Sequence, residues 1–235
     1  LMTATTDARQ VHFARVGHGL YPMIAMLFVG LLIISNIGAT KLIAVGPLIT
    51  DGGAFLFPLV YLTGDVLSEV YGFRATRRVI FMGFGMSVLA AVTFLAVQYS
   101  PPADAWPNQE AFEAVLGFVP RIVVASLAGF LVGQLLNAYV LVWIKERTRE
   151  KALWLRLIGS TAVGELADTV VFCTIAFYGV ITGGEFLNYV IVGYLYKTLL
   201  EVILLPVSYP VIAAVKRHEP TYTEPAYTEA APLPR

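Results

Sequence analysis

Six long runs of apolar residues, separated by shorter polar stretches, dominate the pattern of this chain. A helix needs about 20 mostly apolar residues to cross the roughly 30 Å hydrocarbon core of a membrane. Lipid offers no partner to open backbone groups, so helices are the expected form. The pattern therefore predicts an all-α integral membrane protein with six transmembrane helices, at about Leu20–Val45, Ala54–Tyr71, Val79–Tyr99, Pro120–Ile144, Leu157–Ile181 and Phe186–Val215.

The stretches outside these runs predict three regions along the chain. Residues 1–19 are expected to be a polar N-terminal segment, and 20–215 the transmembrane domain. Residues 216–235 are rich in Pro, Thr and Glu, a composition typical of a disordered tail. The one long connection, 101–119, contains prolines and acidic residues, and we expect a short interfacial helix from Asn108 to Leu116 within it.

Composition agrees with a membrane protein and excludes several other classes. Hydrophobic residues make up 57% of the chain and charged residues only 14%, against about 25% charged in soluble domains. The net charge is zero, so no nucleic-acid partner is expected. The chain has a single cysteine, Cys173, so we expect no disulfide within it. Its three histidines lie near the termini, so we expect no metal site and no cofactor.

Basic residues predict the orientation of the helices. Every Lys and Arg outside the apolar runs falls on one side, and the opposite loops, at 46–53, 100–119 and 182–185, contain none. The positive-inside rule then places both termini in the cytoplasm.

Charged and amide side chains inside the apolar runs are the candidate functional residues. Each costs roughly 2.5–3.5 kcal/mol to insert into a membrane, so each needs a partner or a purpose. Several lie three or four residues apart and so share one helix face. We expect polar side chains from separate helices to line one cavity that binds a small molecule. The candidates are Asn36, Tyr61, Asp65, Glu69, Gln134, Asn137, Glu165, Asp168, Lys197 and Glu201.

Structural roles remain open for some of these residues. Lys197 and Glu201 could form a salt bridge that only supports packing, and Glu69 could face water near the cytoplasmic end of its helix. Gln134 and Asn137 could hydrogen-bond between helices. Asp65 and Asp168 lie deeper in their runs, which favours a functional role.

The two halves of the chain suggest an internal repeat. Asn36 precedes Asp65 in the first half as Asn137 precedes Asp168 in the second. Three helices in each half would make a 3+3 repeat inverted in the membrane, an arrangement common in secondary transporters.

Three stretches resemble the queuosine precursor transporter family, also called the vitamin uptake transporter family. The first, Phe57 to Gly72, has the sequence FPLVYLTGDVLSEVYG. The second is LRLIGST at 155–161, followed by Gly164 and Asp168, and the third is GQLLN at 133–137, preceded by Arg121. The pair Asn36 and Lys41 and the set Lys197, Glu201 and Pro206 also fit. Glu165 departs from the pattern, since glutamine is expected there in many relatives.

The resemblance covers about Leu20 to Lys216 and implies a six-helix importer in the bacterial inner membrane. It further implies a homodimer and a cargo such as 7-cyano-7-deazaguanine or 7-aminomethyl-7-deazaguanine. Proton coupling and facilitated uptake both remain open. The alternative is a substrate-binding membrane subunit of an ATP-driven vitamin importer. An intramembrane enzyme is not favoured, because the chain lacks a His-Glu-x-x-His or Gly-x-Ser-x-Gly motif.

Overall fold

The computed structural model describes residues 11–17, 19–45, 48–117, 120–177 and 183–222 as a helical protein with one small β-hairpin. Five helices, all but α3, are long and apolar enough to cross a membrane, which confirms the predicted class. The elements are α1 (Tyr21–Gly38), β1 (Leu42–Val45), β2 (Leu48–Asp51), a 3-10 turn (Gly52–Phe55), α2 (Phe57–Gln98), α3 (Gln109–Leu116), α4 (Pro120–Thr148), α5 (Leu153–Phe177) and α6 (Gly184–His218).

Apolar side chains cover the outside of the helices, and charged side chains lie inside. Met26 is 71% exposed and Ile203 is 62% exposed, whereas Asp65 and Glu165 are each 1% exposed. This distribution is the reverse of that in a water-soluble domain, where buried charges are rare. It fits a protein surrounded by lipid that keeps its polar groups for the interior.

Helix α2 bends back on itself at Gly72, which has φ 79° and ψ 172°. Glycine adopts this conformation at little cost because it has no Cβ. The Phe28 ring of α1 lies against both Gly64 and Gly83, one in each arm of α2. These residues would be about 28 Å apart in a straight helix. The arms, 57–71 and 73–98, therefore pack side by side.

A β-hairpin follows α1 where a continuous helix was expected. The predicted run ended at Val45, but α1 ends at Gly38, and β1 then pairs antiparallel with β2. Backbone contact fixes this change of direction, because a Cβ on Gly52 would lie 2.5 Å from the carbonyl oxygen of Gly38. Hydropathy alone does not distinguish an apolar strand from the end of an apolar helix.

The remaining boundaries differ from the prediction by six residues or fewer, and the runs predicted at Ala54–Tyr71 and Val79–Tyr99 are the two arms of the single helix α2. The short helix expected from Asn108 is present as α3. Helix α6 continues to His218, so the predicted start of the tail at 216 lies inside a helix. Residues 223–235, and residues 1–10 of the predicted N-terminal segment, lie outside the described part of the chain.

Candidate functional site

A group of polar side chains, which we call the central cluster, lies between α2, α4, α5 and α6. Apart from Lys197, which is partly exposed, its members are buried. The central cluster consists of Tyr61, Asp65, Gln134, Asn137, Thr161, Glu165, Asp168, Lys197 and Glu201.

One part of the central cluster joins α2 to α4. The amide nitrogen of Asn137 donates a hydrogen bond of 2.8 Å to Asp65 Oδ1, and both residues are 1% exposed. Gln134, one turn before Asn137, places its Oε1 against Gly64 of α2, 3.1 Å from where a Cβ would lie. A carboxylate and two amides therefore meet inside the helical bundle.

A second part of the central cluster is built around the Lys197 ammonium of α6. Lys197 Nζ donates a hydrogen bond of 2.5 Å to Asp168 Oδ2 and lies 3.3 Å from Glu165 Oε2. The same nitrogen lies 4.9 Å from the centre of the Phe57 ring, within the range of a cation–π contact. The Phe57 and Tyr61 rings are 4.8 Å apart. One ammonium is thus shared by two carboxylates and an aromatic face.

Further contacts connect the two parts. The Tyr61 hydroxyl lies beside the Glu165 carboxylate, and Thr161 lies beside Glu201. Glu201 is close enough to Asp65 and Glu165 to interact electrostatically with both.

Glycines let α4 and α5 approach closely enough to form the central cluster. A Cβ on Gly133 would lie 2.7 Å from the Asp168 Cβ, and one on Gly164 would lie 2.8 Å from the Asn137 Cβ. A side chain at either position would push the helices apart. Small residues commonly mark such close helix packing in membranes, and here they position Asp168 and Asn137.

Several buried polar atoms of the central cluster have no hydrogen-bond partner among the described residues. Leaving such atoms unpaired costs free energy in a low-dielectric interior, so they mark places where a ligand or water can bind. The atoms are Gln134 Nε2, Asn137 Oδ1, Thr161 Oγ1 and Glu165 Oε2. Gln134 Nε2 can donate, Asn137 Oδ1 and Glu165 Oε2 can accept, and the Thr161 hydroxyl can do either.

Glu69, one turn after Asp65, belongs to a separate group of charges that we call the Glu69 cluster. Arg156 donates to both of its carboxylate oxygens, at 3.0 and 2.8 Å, and Lys216 donates at 2.7 Å. Lys145 lies 3.8 Å from the carboxylate and donates to the Glu69 carbonyl oxygen at 2.6 Å. The carboxylate is thus occupied by cations from α4, α5 and α6.

Both described ends of the chain pack onto the Glu69 cluster. Ala14 N donates to the Val70 carbonyl at 2.7 Å, and Tyr71 Oη donates to Glu219 at 2.6 Å. The Tyr222 ring lies 5.5 Å from Lys145 Nζ and 5.1 Å from Lys216 Nζ. Burial raises the pKa of the Tyr222 hydroxyl, although Lys216 acts in the opposite direction. This end of the bundle is therefore closed by contacts between distant parts of the chain.

Asn36 lies in neither cluster but lines a cavity of about 350 Å³ that we call the α1–α3 cavity. This cavity is mostly apolar and lies between α1, the second arm of α2, α3 and the start of α4. Its α4 residues end at Leu127, and Lys145 of the Glu69 cluster is 18 residues further along the same helix. That separation corresponds to about 27 Å. Gln134 and Asn137 lie between the two.

The structure thus brings eight of the ten predicted site residues together and places Asn36 and Glu69 elsewhere. Sequence reasoning assigned Lys145 and Arg156 to a connecting loop, whereas Lys145 is fully buried in α4 and Arg156 is 1% exposed in α5. The sequence left open that Glu69 faces water, whereas the structure buries its carboxylate among Lys145, Arg156 and Lys216. Arg121 lies in α4, but its side chain is outside what the structure describes.

Comparison with known proteins shows that this chain is similar to membrane transporters. A family profile described as a "putative vitamin uptake transporter" matches residues 51–211. A Bacillus subtilis (strain 168) protein named "probable queuosine precursor transporter" is 34% identical over 178 residues, covering 74% of this chain and 77% of that protein. No solved structure matches this chain.

Two further relatives carry the same kind of name. The Escherichia coli (strain K12) "queuosine precursor transporter" is 27% identical over 69% of this chain and 72% of its own length. A Haemophilus influenzae "probable queuosine precursor transporter" is 28% identical over 69% of this chain and 68% of its own length. With five helices able to cross a membrane, these similarities identify a multi-pass bacterial membrane protein.

Proposed function

Because this chain belongs to the putative vitamin uptake transporter family, we propose that it imports queuosine precursors across the bacterial inner membrane. The cargo is 7-cyano-7-deazaguanine, 7-aminomethyl-7-deazaguanine or both. Three relatives named as queuosine precursor transporters support this substrate class. A transporter rather than an enzyme is also what these names favour.

The observation that carries the proposal is that two buried amide atoms of the central cluster, Gln134 Nε2 and Asn137 Oδ1, have no hydrogen-bond partner among the described residues. A 7-deazaguanine presents its N1–H and 2-amino donors side by side, and one carboxylate can accept both. We assign this role to Asp65, while Asp168 lines the cargo site and holds Lys197. The free Nε2 of Gln134 suits the O6 acceptor of the ring, and Phe57 and Tyr61 offer aromatic surface for stacking.

The fold suggests how cargo reaches this site. We place the α1–α3 cavity on the outer side of the membrane and the Glu69 cluster on the cytoplasmic side, in agreement with the positive-inside rule. Cargo then enters through the cavity while the Glu69 cluster keeps the cytoplasmic end closed. Release requires that the contacts of Glu69 with Arg156 and Lys216 open.

The proposal includes six spans, with both termini in the cytoplasm. The two arms of α2 each count as a span because they pack side by side around Gly72. A 3+3 inverted repeat and a homodimer are further parts of the proposal. The mass of the purified protein in detergent tests the dimer.

Uptake by the purified full-length chain in proteoliposomes tests the function. We expect labelled 7-deazaguanine precursors to accumulate without an ATP-hydrolysing partner. Asp65→Asn and Asp168→Asn should each reduce uptake by about tenfold or more, since each removes a charged hydrogen-bond acceptor. Uptake at the wild-type rate by both variants, at equal protein levels, rules out this site.

The matched control is Asp104→Asn, which changes the same functional group in an exposed connection. Its uptake should equal that of the wild type. A requirement for an ATP-hydrolysing partner would instead indicate the binding subunit of an ATP-driven importer.

A further inference from the structure

The surroundings of Lys197 show what kind of group the central cluster is built to hold. A primary ammonium is bound there by Asp168 at 2.5 Å, faces Glu165 at 3.3 Å and lies 4.9 Å from the Phe57 ring centre. Carboxylates can accept charge-assisted hydrogen bonds from a protonated primary amine, and an aromatic face attracts its positive charge. Lys197 thus occupies a site suited to an ammonium group.

The central cluster contains more carboxyl groups than cations. Among the described residues, Lys197 is the one cation of the central cluster, which also contains Asp65, Glu165, Asp168 and Glu201. Lys197 donates its hydrogen bond to Asp168 at 2.5 Å and keeps a longer ion-pair contact of 3.3 Å with Glu165, so Glu165 is the less tightly held of the two carboxylates.

Unpaired buried atoms give a second and independent sign of a ligand. Glu165 Oε2 is buried, and its 3.3 Å contact with Lys197 Nζ does not have hydrogen-bond geometry. Thr161 Oγ1 and Gln134 Nε2 are buried and unpaired in the same cluster. A bound molecule with a cationic group beside Glu165 would give this carboxylate a hydrogen-bond donor with good geometry.

We propose that Glu165 determines cargo specificity by selecting a 7-deazaguanine with a cationic 7-substituent over one with a neutral substituent. The inference rests on the proposed function and adds a residue and a charge preference to it. The cargo ammonium binds Glu165, while Lys197 stays on Asp168. With glutamine at 165, the ion pair of Lys197 and Asp168 remains, but the cargo ammonium loses its carboxylate partner.

Competition for uptake tests this preference. Proteoliposomes containing the full-length protein take up labelled 7-aminomethyl-7-deazaguanine in the presence of unlabelled aminomethyl, hydroxymethyl or cyano derivatives. The hydroxymethyl derivative has nearly the shape of the aminomethyl derivative but carries no charge. We expect the wild type to favour the aminomethyl derivative by about tenfold or more, and Glu165→Gln to remove most of that preference.

Two variants provide the controls. Glu165→Asp keeps the charge and should keep the preference, whereas Glu110→Gln removes an exposed carboxylate of α3 and should leave the preference at the wild-type value. If Glu165→Gln does not accumulate in the membrane, Glu165→Met is measured in the same way.

The outcomes separate this inference from the proposed function. Equal competition by the aminomethyl and hydroxymethyl derivatives in the wild type overturns the inference, as does an unchanged ratio in Glu165→Gln. In both cases the protein remains a 7-deazaguanine transporter. If no 7-deazaguanine is taken up or bound by the wild type, the proposed function itself fails.

Discussion

At the scale of single residues, two carboxylates one turn apart have different surroundings. Glu69 is contacted by Arg156, Lys145 and Lys216, whereas Asp65 receives one amide hydrogen bond from Asn137. A carboxylate surrounded by cations has little capacity left for a ligand. A carboxylate paired with a neutral amide can still bind one, which agrees with the binding role that we propose for Asp65.

The contact between Glu69 and Arg156 leads to a stability prediction. Arg156→Gln removes a buried guanidinium that donates twice to Glu69. Removing one partner of a buried ion pair costs about 3–5 kcal/mol. We expect the Tm of the detergent-purified protein to fall by roughly 6–20 °C, at about 2–4 °C per kcal/mol.

Arg217→Gln is the matched control, because Arg217 lies exposed near the end of α6. Its Tm should equal that of the wild type. Equal Tm values for Arg156→Gln and the wild type would show that the Glu69 cluster contributes nothing to stability.

At the scale of the elements, the close packing of α4 against α5 determines where the polar residues meet. Gly133 and Gly164 face each other across this contact, so that the backbones nearly touch. Asn137 and Asp168 extend from the same contact. Because Gly133 and Gly164 have no side chains, Asn137 and Asp168 can come close to the other residues of the central cluster.

Adding one methyl group at this contact should disturb the central cluster. In Gly164→Ala the new Cβ would lie 2.8 Å from the Asn137 Cβ and 2.9 Å from the Gly133 carbonyl oxygen. The helices must separate to make room, and overpacking of this kind costs about 1–3 kcal/mol. We expect a lower Tm and a loss of precursor uptake.

Gly85→Ala supplies the comparison, because nothing lies within 4 Å of a Cβ at that position. This variant should keep uptake and Tm, since alanine favours helix formation. Normal uptake and Tm in Gly164→Ala would contradict the role assigned to the α4–α5 contact.

The sequence predicted the elements better than the contacts between them. Long apolar runs identify membrane helices, and spacing of three or four residues predicted that Glu165 and Asp168 share a face. The same reasoning grouped Glu69 with Asp65, because spacing along one helix carries no information about partners on other helices. The substrate role of the candidates stays a prediction, since geometry alone does not identify the cargo.

At the scale of the whole molecule, α4 passes three features in turn: the α1–α3 cavity, the central cluster and the Glu69 cluster. Leu127 lines the α1–α3 cavity, Asn137 belongs to the central cluster, and Lys145 belongs to the Glu69 cluster. One end of the molecule contains a cavity and the other is held by ion pairs and by both described chain ends. This asymmetry is what one state of an alternating-access transporter requires.

The contact between Tyr71 and Glu219 tests whether the end of the chain holds the bundle closed. Tyr71→Phe and Glu219→Gln each weaken the same hydrogen bond of 2.6 Å, worth about 1.5–3 kcal/mol because one partner is charged. Each variant should lower the Tm. The double variant should lower it by less than the sum, since the two residues are coupled.

Tyr99→Phe is the control for the hydroxyl, because Tyr99 is 81% exposed. It should leave the Tm unchanged. Additive losses for the first pair would mean that Glu219 does not dock on Tyr71 in solution.

The burial of Cys173 makes this protein convenient for chemical labelling. The chain contains one cysteine, and that thiol is 1% exposed within α5. A maleimide reagent should therefore react slowly with the native protein under non-denaturing conditions. New cysteines introduced one at a time along α4 would report solvent access at successive depths, without removal of the natural thiol.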